Sequence, residues 1–265
     1  MDFSKYHGLG NDFIIVDRRL EPDAPPLRAA WVSSVCDRRR GVGADGVLEL
    51  LSPSPPAVAR MKVTNSDGSS SEMCGNGLRC VARYLADHEG AVVALIETDA
   101  GLLRTTVTAQ GVEVGLGPVH DFGELELDLG SEKVRGRHVA LGNPHFVAAG
   151  PRTQDDMLRL GPKLQTHDAF PGGVNAGFAR LSPDGTVKLH VWERGCGPTL
   201  ACGTGAGAAV ATAWLRGDLP SGVPVWVHLP GGALLIDGSL DDLRMSGPAV
   251  CVFEGRLRAD FPDPY

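Results

Sequence analysis

The sequence predicts an α/β (α+β) protein made of two pseudo-symmetric halves, each a curved, mostly antiparallel sheet wrapped around one central helix. Two observations support this prediction. Short apolar segments bounded by turn residues recur along the whole chain, which is typical of many short strands. A cysteine followed by Gly-x-Gly, at Cys74 and again at Cys202, precedes each of two segments with helical character. We therefore expect one enclosed helix in each half.

In the first half, the segment 76–88 is predicted to be helical because Leu78, Val81, Ala82 and Leu85 recur at helical spacing. The remaining regular segments are bounded by Gly, Pro, Asn or Asp, as strands are. They are predicted over 13–17, 46–50, 60–65, 92–98, 102–108 and 111–117.

In the second half, a helix is predicted over 203–215, where nearly every residue is small and apolar, as expected for a helix enclosed by its own sheet. A hairpin is predicted over 179–193, with its turn at Pro183, Asp184 and Gly185. Further strands are predicted over 146–150, 223–229, 233–238 and 249–257, the last of which could return to the first half. The segment 118–123 is the predicted linker.

Three sequence blocks recur in the same order and indicate an internal duplication. The block MKVTNSDGSSSEMC, which ends at Cys74, aligns without gaps with LHVWERGCGPTLAC, which ends at Cys202, an offset of 128 (202 − 74). LGN from Leu9 recurs from Leu141, and GVGADG matches GVNAG, both at an offset of 132 (141 − 9 and 173 − 41). We predict two homologous domains, 1–117 with 248–265, and 118–247.

Composition narrows the class of protein. The chain has 265 residues and is 43% hydrophobic, so it can bury a substantial core. Its formal net charge is −7, so it has no overall positive charge that would attract nucleic acid. No stretch approaches the roughly 20 apolar residues that span a bilayer, and the start has no uninterrupted apolar region of a secretory signal. We expect a cytoplasmic globular protein with neither nucleic-acid nor membrane partners.

The six cysteines are expected to be thiols, because nothing marks the chain as secreted. Zinc binding is the next alternative, since the spacing of Cys74 and Cys80 recurs in Cys196 and Cys202. This C-x5-C spacing does not match the C-x2-4-C pairs of closed structural zinc sites. The Gly-rich segments match neither common nucleotide-binding pattern. We therefore expect no metal and no cofactor.

The two helix-initial cysteines indicate paired acid–base chemistry. Backbone N–H groups and the positive end of the helix dipole stabilise a thiolate and attract an anion there. Inverting a carbon centre requires removal of a proton on one face and delivery on the other, and one thiol from each domain supplies both groups. We expect the active site in the cleft between the domains. The N–H groups predicted to hold a substrate carboxylate belong to Gly75, Asn76, Gly203 and Thr204.

A set of ordered motifs then points to a family. GLGNDF, GVGADG, NSDG with MCGNG, ETDAG, GNPH, NAGF, ERG, ACGTGA and LPGG together resemble the diaminopimelate epimerase family, over about residues 5–257. The resemblance implies pyridoxal-independent interconversion of LL- and meso-2,6-diaminopimelate, on the route to lysine and bacterial cell-wall crosslinks. It also implies two similar α/β domains and a homodimer.

Carried over residue by residue, the resemblance makes Cys74 and Cys202 the acid–base thiols, with His145 and Glu193 as their polar neighbours. A site for this substrate needs amide side chains that fix the position of the substrate. It also needs an arginine to bind the distal carboxylate and a carboxylate to bind an ammonium group. The substrate contacts implied are Asn11, Asn65, Asn143, Asn175, Glu193 and Arg194. Without the resemblance, Asn11, Asn143 and Asn175 are more typical of turns. His145 is then more typical of a structural histidine, and Glu193 with Arg194 of an exposed strand-end pair.

Three positions depart from the family pattern: Pro198 and Ser70 stand where Glu is usual or frequent, and Gly207 where Cys is frequent. These departures concern loop packing and dimer details more than the reaction. The nearest alternative is a proline racemase or hydroxyproline epimerase, but those enzymes tend to have His at the position of Asn76. A thiol redox protein and a non-catalytic amino-acid binder are alternatives from other classes.

The final strand segment also carries a prediction. Val250, Val252, Phe253 and Leu257 are apolar, and an apolar edge strand is a liability unless it is covered. Together with the resemblance, this places Phe253 at or near a homodimer interface. The alternative is that Phe253 packs in the core of the first domain.

Overall fold

The computed structural model of the chain describes residues 1–71, 73–130, 132–258 and 260–262. Contacts divide the chain into two compact units. Unit 1 is Met1–Val114 with Gly247–Tyr265, and unit 2 is Gly115–Ser246.

The elements follow one another in similar order in the two parts of the chain. The first part forms β1 (Asp2–Gly8), β2 (Asn11–Asp17), α1 (Ala29–Cys36), β3 (Gly46–Leu51), β4 (Ala59–Asn65), β5 (Ser70–Ser71), α2 (Gly75–Glu89), β6 (Val93–Thr98), β7 (Gly101–Thr108) and β8 (Gly111–Gly117). The second part forms β9 (His120–Asp128), β10 (Lys133–Ala140), β11 (Pro144–Ala148), α3 (Gln154–Gln165), β12 (Asn175–Leu181), β13 (Val187–Glu193), β14 (Gly197–Pro198), α4 (Gly203–Arg216), β15 (Val225–Leu229), β16 (Gly232–Gly238) and β17 (Leu243–Gly247). A last strand, β18 (Val250–Arg256), belongs to unit 1.

Strand pairing repeats as well. In unit 1, β2 and β3 are parallel and are connected through α1, whereas β4 and β6 are parallel and are connected through α2. The pairs β1–β2, β3–β4, β6–β7 and β7–β8 are antiparallel, and β18 adds antiparallel to β1. In unit 2, α3 connects the parallel pair β11–β12 and α4 the parallel pair β13–β15, with antiparallel pairs around them. The predicted mostly antiparallel α/β fold with two similar halves is confirmed.

Helix α2 is the enclosed helix of unit 1. Its predicted apolar face, Leu78, Val81, Ala82 and Leu85, is fully buried, and the helix contacts β1, β2, β4, β6 and β7. It ends at Gly90, which adopts the left-handed conformation (φ 69°) that favours glycine. The periodicity in the sequence therefore predicted both the helix and its buried face.

Helix α4 occupies the same place in unit 2, and its small residues allow close packing on every side. Most of its residues are buried, and it contacts strands β10, β11, β12, β13, β15 and β16. A Cβ atom added at Gly207 would lie 2.7 Å from Cδ1 of Leu116 and 3.0 Å from Cδ2 of Leu243. The cysteine that is frequent at this position in the family would therefore require its neighbours to move.

The sequence reasoning missed helices α1 and α3, and it missed strands β1, β5, β9, β10, β14 and β17. Helix α1 is only eight residues long, and Arg28, the residue before it, makes no side-chain cap hydrogen bond. Helix α3 contains Gly161 and Pro162, two residues that normally interrupt a helix. Each helix packs on its own sheet, so each unit carries a second helix besides the enclosed one.

The segment 118–123 was predicted to be a linker, but strand β9 begins at His120. Gly117 has a positive φ of 75°, and Pro118 follows it, so these two residues do form a turn. The turn ends before His120, where the strand begins. Gly123 also has a positive φ and lies where the pairing of β9 with β10 shifts register. A glycine at a bulge is consistent with a continuing strand.

The longest helix, α2, has 15 residues, short of the roughly 20 that a membrane-spanning helix needs. Within the described ranges, no helix meets the combined length and hydropathy needed to cross a membrane.

Candidate active site

Cys74 lies immediately before α2 and caps this helix. Its backbone is extended (φ −137°, ψ 110°), and its Sγ accepts a hydrogen bond from the N–H of Gly77 at 3.4 Å. The first N–H groups of a helix have no acceptor within the helix and lie at the positive end of its dipole. The sulfur is therefore held where a negative charge is stabilised, as a catalytic thiolate requires.

Cys202 repeats this geometry at the start of α4. Its backbone is extended (φ −128°, ψ 107°), and its Sγ accepts a hydrogen bond from the N–H of Gly205 at 3.3 Å. A Cβ atom at Gly205 would lie 3.1 Å from that sulfur, so the last glycine of the motif leaves room for the thiol. The hydroxyl of Thr204 lies 3.8 Å from the same sulfur. Cys202 is buried, whereas Cys74 is half-buried.

Glu193, the last residue of β13, is the charged neighbour of Cys202. Burial raises the pKa of the Glu193 carboxyl, and hydrogen bonds from the Thr199 hydroxyl and the Cys202 thiol lower it. Burial also raises the pKa of Cys202 well above its usual value, and the Glu193 charge raises it further. The N–H of Gly205 lowers the pKa of Cys202. Burial therefore favours the protonated Cys202 thiol beside the Glu193 carboxyl, and two neighbouring groups with raised pKa values suit the transfer of a proton.

His145 and Asn143 form a second polar pair in unit 2. The Nε2 of His145 lies 2.9 Å from the Oδ1 of Asn143. His145 is 1% exposed, and burial, followed by the charge of Arg194, lowers its pKa to about 3. The imidazole is therefore neutral near pH 7, and Nε2–H donation to the amide oxygen leaves the amide N–H groups of Asn143 as donors.

Asn175 holds the backbone around Arg194. Its Nδ2 donates to the carbonyl of Pro144 at 3.0 Å, and its Oδ1 accepts from the backbone N–H of Arg194 at 2.9 Å. The Arg194 side chain is exposed and donates through Nη1 to the carbonyl of Gly172 at 3.0 Å. Arg194 is thus fixed at its backbone, and its guanidinium stays accessible to an anion.

In unit 1, Asn11 and Asn76 are brought together. The Nδ2 of Asn76 donates to the Oδ1 of Asn11 at 3.0 Å, and the Nδ2 of Asn11 donates to Asp45 at 2.7 Å. Asn76 is the second residue of α2 and Gly75 is the first, so this amide pair adjoins the helix start that Cys74 caps.

Asn65 ends β4 and holds a turn. Its Nδ2 donates to the hydroxyl of Ser69 at 2.9 Å, and its backbone N–H bonds the carbonyl of Ser69. Asn65 lies 128 residues before Glu193, the same offset that separates the two cysteines. The position that carries a carboxylate beside Cys202 therefore carries an amide in unit 1.

The three departures from the family pattern lie outside these clusters. Ser70 and Pro198 are exposed residues of the two-residue strands β5 and β14, and Gly207 lies inside α4.

Asp45, Arg79 and Thr199 contact the predicted site residues, and the sequence reasoning did not select them. The sequence signal that could have pointed to Arg79 was the presence of a charged residue next to the apolar positions of α2. In the described ranges, no group of three or more His, Cys, Asp or Glu side chains is placed to hold a metal ion.

Solved structures share this fold. A probable proline racemase from Agrobacterium radiobacter superposes with a TM-score of 0.74 at 17% identity, covering 99% of this chain and 94% of that one. A hydroxyproline epimerase from Agrobacterium vitis superposes with a TM-score of 0.73 at 18% identity, covering 99% of this chain and 93% of that one. At this identity the likeness shows only that the chain shares the fold of these two proteins.

Sequence comparison identifies the family. The chain matches the family described as diaminopimelate epimerase over residues 3–121 and 137–252. It is 41% identical to the diaminopimelate epimerase of Synechococcus elongatus over 282 residues, covering 97% of this chain and 98% of the relative. It is 44% identical to that of Desulforudis audaxviator over 284 residues, covering 97% and 99%. The chain belongs to the diaminopimelate epimerase family, and the resemblance inferred from its motifs is confirmed.

Proposed function

We propose that this protein is an isomerase that epimerises LL-2,6-diaminopimelate to the meso form in lysine and peptidoglycan precursor biosynthesis. One observation carries the proposal beyond family membership: a cysteine caps the enclosed helix in each unit, and in each case its sulfur accepts the third N–H of that helix. Two equivalent thiols in a duplicated chain suit a reaction that needs one proton carrier on each face of a carbon.

The proton balance of the reaction follows from the two thiols. The thiolate of one cysteine takes the α-proton and becomes a thiol, and the thiol of the other gives its proton to the opposite face and becomes a thiolate. The charge that develops at the α-carbon passes into the carboxylate, which the N–H groups at the helix starts stabilise. Those groups are Gly75, Asn76, Gly203 and Thr204. The new α-hydrogen comes from a thiol that exchanges with solvent.

The remaining candidate residues bind the rest of the substrate. Arg194 suits the distal carboxylate, and Glu193 suits an ammonium group as well as the Cys202 proton. Four asparagines provide amide groups that fix the position of the substrate: Asn11, Asn65, Asn143 and Asn175. His145 holds the amide of Asn143 in place. Backbone N–H donors take the place of an electron-withdrawing cofactor, so we propose that the reaction needs no pyridoxal phosphate.

The proposed chemistry also suggests the compartment. Both catalytic sulfurs must remain thiols, which the reducing cytoplasm maintains. Cys36, Cys80, Cys202 and Cys251 are present as thiols. We therefore propose a cytoplasmic enzyme.

The test is hydrogen exchange at the α-carbon. Purified protein is incubated with LL-diaminopimelate in D2O without pyridoxal phosphate, and products are separated by chiral chromatography and mass spectrometry. We expect meso-diaminopimelate with one deuterium at the inverted carbon. Binding measured by calorimetry without deuterium uptake would instead indicate an amino-acid binder. Exchange with L-proline but not with diaminopimelate would indicate a proline racemase.

We further propose that two copies associate through β18. Val250, Val252 and Phe253 of this strand are 47%, 51% and 44% exposed. The Phe253 ring packs edge-on against Phe3 at 5.9 Å, so it is anchored in unit 1 with much of its surface outward. Strand β9, the pseudo-equivalent of β18, instead carries charged residues in ion pairs, namely Asp121 with Arg137, Glu124 with Arg216 and Glu126 with Arg135. Paired charges therefore alternate along β9, whereas Val250, Val252 and Phe253 give β18 a cluster of three exposed apolar side chains.

Phe253→Ala is expected to convert the dimer into a folded monomer, because it removes the largest exposed apolar side chain of β18. Sedimentation velocity measures the change, and circular dichroism confirms folding. Phe122→Ala is the matched control, since Phe122 on β9 is 60% exposed and should not affect association. An intact Phe253→Ala dimer with a lowered melting temperature would contradict the interface role.

Arg194→Lys is expected to raise KM for diaminopimelate about tenfold or more while changing kcat less. A lysine ammonium cannot replace the planar fork that binds a carboxylate through two hydrogen bonds. Steady-state kinetics measure both constants, with Arg180→Lys on the exposed end of β12 as control. Wild-type kinetics in Arg194→Lys would remove Arg194 from the distal carboxylate site.

A further inference from the structure

A continuous chain of side-chain hydrogen bonds runs through unit 1 from Arg79 to Asp45. The Nη2 of Arg79 donates to the Oδ1 of Asn76 at 2.9 Å. The Nδ2 of Asn76 donates to the Oδ1 of Asn11 at 3.0 Å, and the Nδ2 of Asn11 donates to the Oδ2 of Asp45 at 2.7 Å. Four residues from three parts of the sequence are thus joined by three hydrogen bonds.

The two ends of this chain determine its direction. A guanidinium group can only donate hydrogen bonds, and an ionised carboxylate can only accept them. A primary amide can do both and can be turned over by rotation of its terminal group. With a donor at one end and an acceptor at the other, all three bonds form only when Asn76 and Asn11 are both oriented as observed.

The donor end is built into the core. Arg79 is fully buried, although the neighbouring helix positions Leu78 and Val81 are apolar. Desolvation lowers the pKa of Arg79, so its burial is costly and needs a compensating role. Gly8 makes room for the guanidinium, because a Cβ atom at Gly8 would lie 3.0 Å from Nη2. Nε also lies 3.4 Å from the carbonyl of Pro248.

The acceptor end is fixed by further bonds. The Oδ2 of Asp45 also accepts the backbone N–H of Asp12 at 3.1 Å, and its Oδ1 pairs with Arg38 at 2.8 Å. Arg38 pairs in turn with Asp12 at 2.6 Å. Both oxygens of Asp45 are therefore held, so the carboxylate cannot rotate away from Asn11 without breaking several bonds.

Unit 2 shows that the fold does not require this chain. The residue 128 positions after Arg79 is Gly207, and the residue 128 positions after Asn76 is Thr204. Asn143, which lies 132 positions after Asn11, has its amide oxygen on His145 instead. Each unit thus fixes an asparagine amide, but only unit 1 does so with a buried arginine.

We infer that Arg79 and Asp45 are positioning residues, which hold the Asn76–Asn11 amide pair in one orientation so that Asn11 offers its second amide hydrogen to a carboxylate of the substrate. The substrate part of this inference rests on the proposed function. The orientation part rests only on the hydrogen bonds of unit 1.

Two variants test the opposite ends of the chain. Arg79→Gln replaces the donor-only group with an amide that can face either way, and Asp45→Ala removes the acceptor. We expect each to raise KM for diaminopimelate about tenfold to a hundredfold, the effect of one hydrogen bond that involves a charged group, with a smaller change in kcat. Arg83→Met is the control, because Arg83 lies one turn further along α2, has a side chain that is 41% exposed, and pairs with Asp87.

A second readout needs no substrate. The side-chain amide signals of Asn11 and Asn76, assigned by ¹⁵N NMR, should be sharp and separate in the wild type and should shift or broaden in both variants. If Arg79→Gln does not fold, Asp45→Ala carries the test, since the Asp45 side chain is 43% exposed. Unchanged amide signals with KM within twofold of wild type would overturn the inference. If the wild type lacks epimerase activity, the proposed function fails, and the amide signals still decide the orientation.

Discussion

Cys202→Ala and Cys74→Ala are each expected to lower epimerisation by three to four orders of magnitude while the fold is retained. The reaction needs a proton acceptor on one face of the α-carbon and a donor on the other, and proton transfer by a positioned side chain contributes about 10²- to 10⁴-fold. Each thiol acts as base in one direction and as acid in the other. Removing either one should therefore block both directions, measured as formation of meso- or LL-diaminopimelate from the opposite isomer.

Cys196→Ala is the matched control for this pair. Cys196 is exposed, lies six residues before Cys202, and should leave the rate unchanged. Circular dichroism and thermal unfolding confirm that the variants are folded. If either catalytic variant keeps more than about 1% of wild-type turnover, a mechanism with two essential thiols is excluded.

Glu193→Gln is expected to lower kcat/KM about a hundredfold or more, although it should make Cys202 more acidic. The Glu193 charge raises the pKa of Cys202, so its removal lowers that pKa. The amide cannot take the Cys202 proton, so the route from thiol to thiolate is lost. We expect the pH midpoint of Cys202 alkylation by iodoacetamide to move down while activity falls.

This pair of readouts separates two roles for Glu193. If Glu193 acted only as a charge, a lower pKa of Cys202 would give equal or higher activity at neutral pH, and that result would count against a proton-accepting role. Glu126→Gln is the control, since Glu126 is a carboxylate of β9 that pairs with Arg135 and Lys133 on the surface of unit 2.

The helix starts and the enclosed helices could be predicted because their determinants are local. A capping residue acts within three positions of sequence, as the bonds from Gly77 and Gly205 to the two sulfurs show. The apolar spacing of α2 likewise depends only on neighbouring turns. The capping residues and the apolar spacing recur at a constant offset. They were therefore sufficient to predict the two halves and their central helices.

The sequence reasoning did not predict helix α3, because Gly161 and Pro162 interrupt the helical pattern and packing stabilises the helix there. Gly161 interrupts the helical pattern, yet a Cβ atom there would lie 2.7 Å from the Trp192 side chain of β13, so the sheet requires a glycine. A capping box between Thr153 and Asp156 begins the helix, and this local signal was present in the sequence. Tertiary contact outweighed helix propensity at this position.

The hydrogen-bond chain in unit 1 was beyond sequence reasoning for another reason. The pairing of β2 with β3 and the packing of α2 on that sheet bring three residues together: Asn11, Asp45 and Asn76. Each residue alone is typical of a turn or a helix start. Their common role depends on distances that only the folded sheet defines.

The difference between Arg79 and Gly207 has a consequence for how the two repeats diverge. An arginine at 207 would have no space, since even a Cβ atom there lies 2.7 Å from Leu116. A glycine at 79 would leave Asn76 without its donor. Copying α2 over α4 would therefore damage unit 2, and copying α4 over α2 would damage unit 1. The two helices must therefore differ at these positions, although both keep the capping cysteine and the two glycines that follow it.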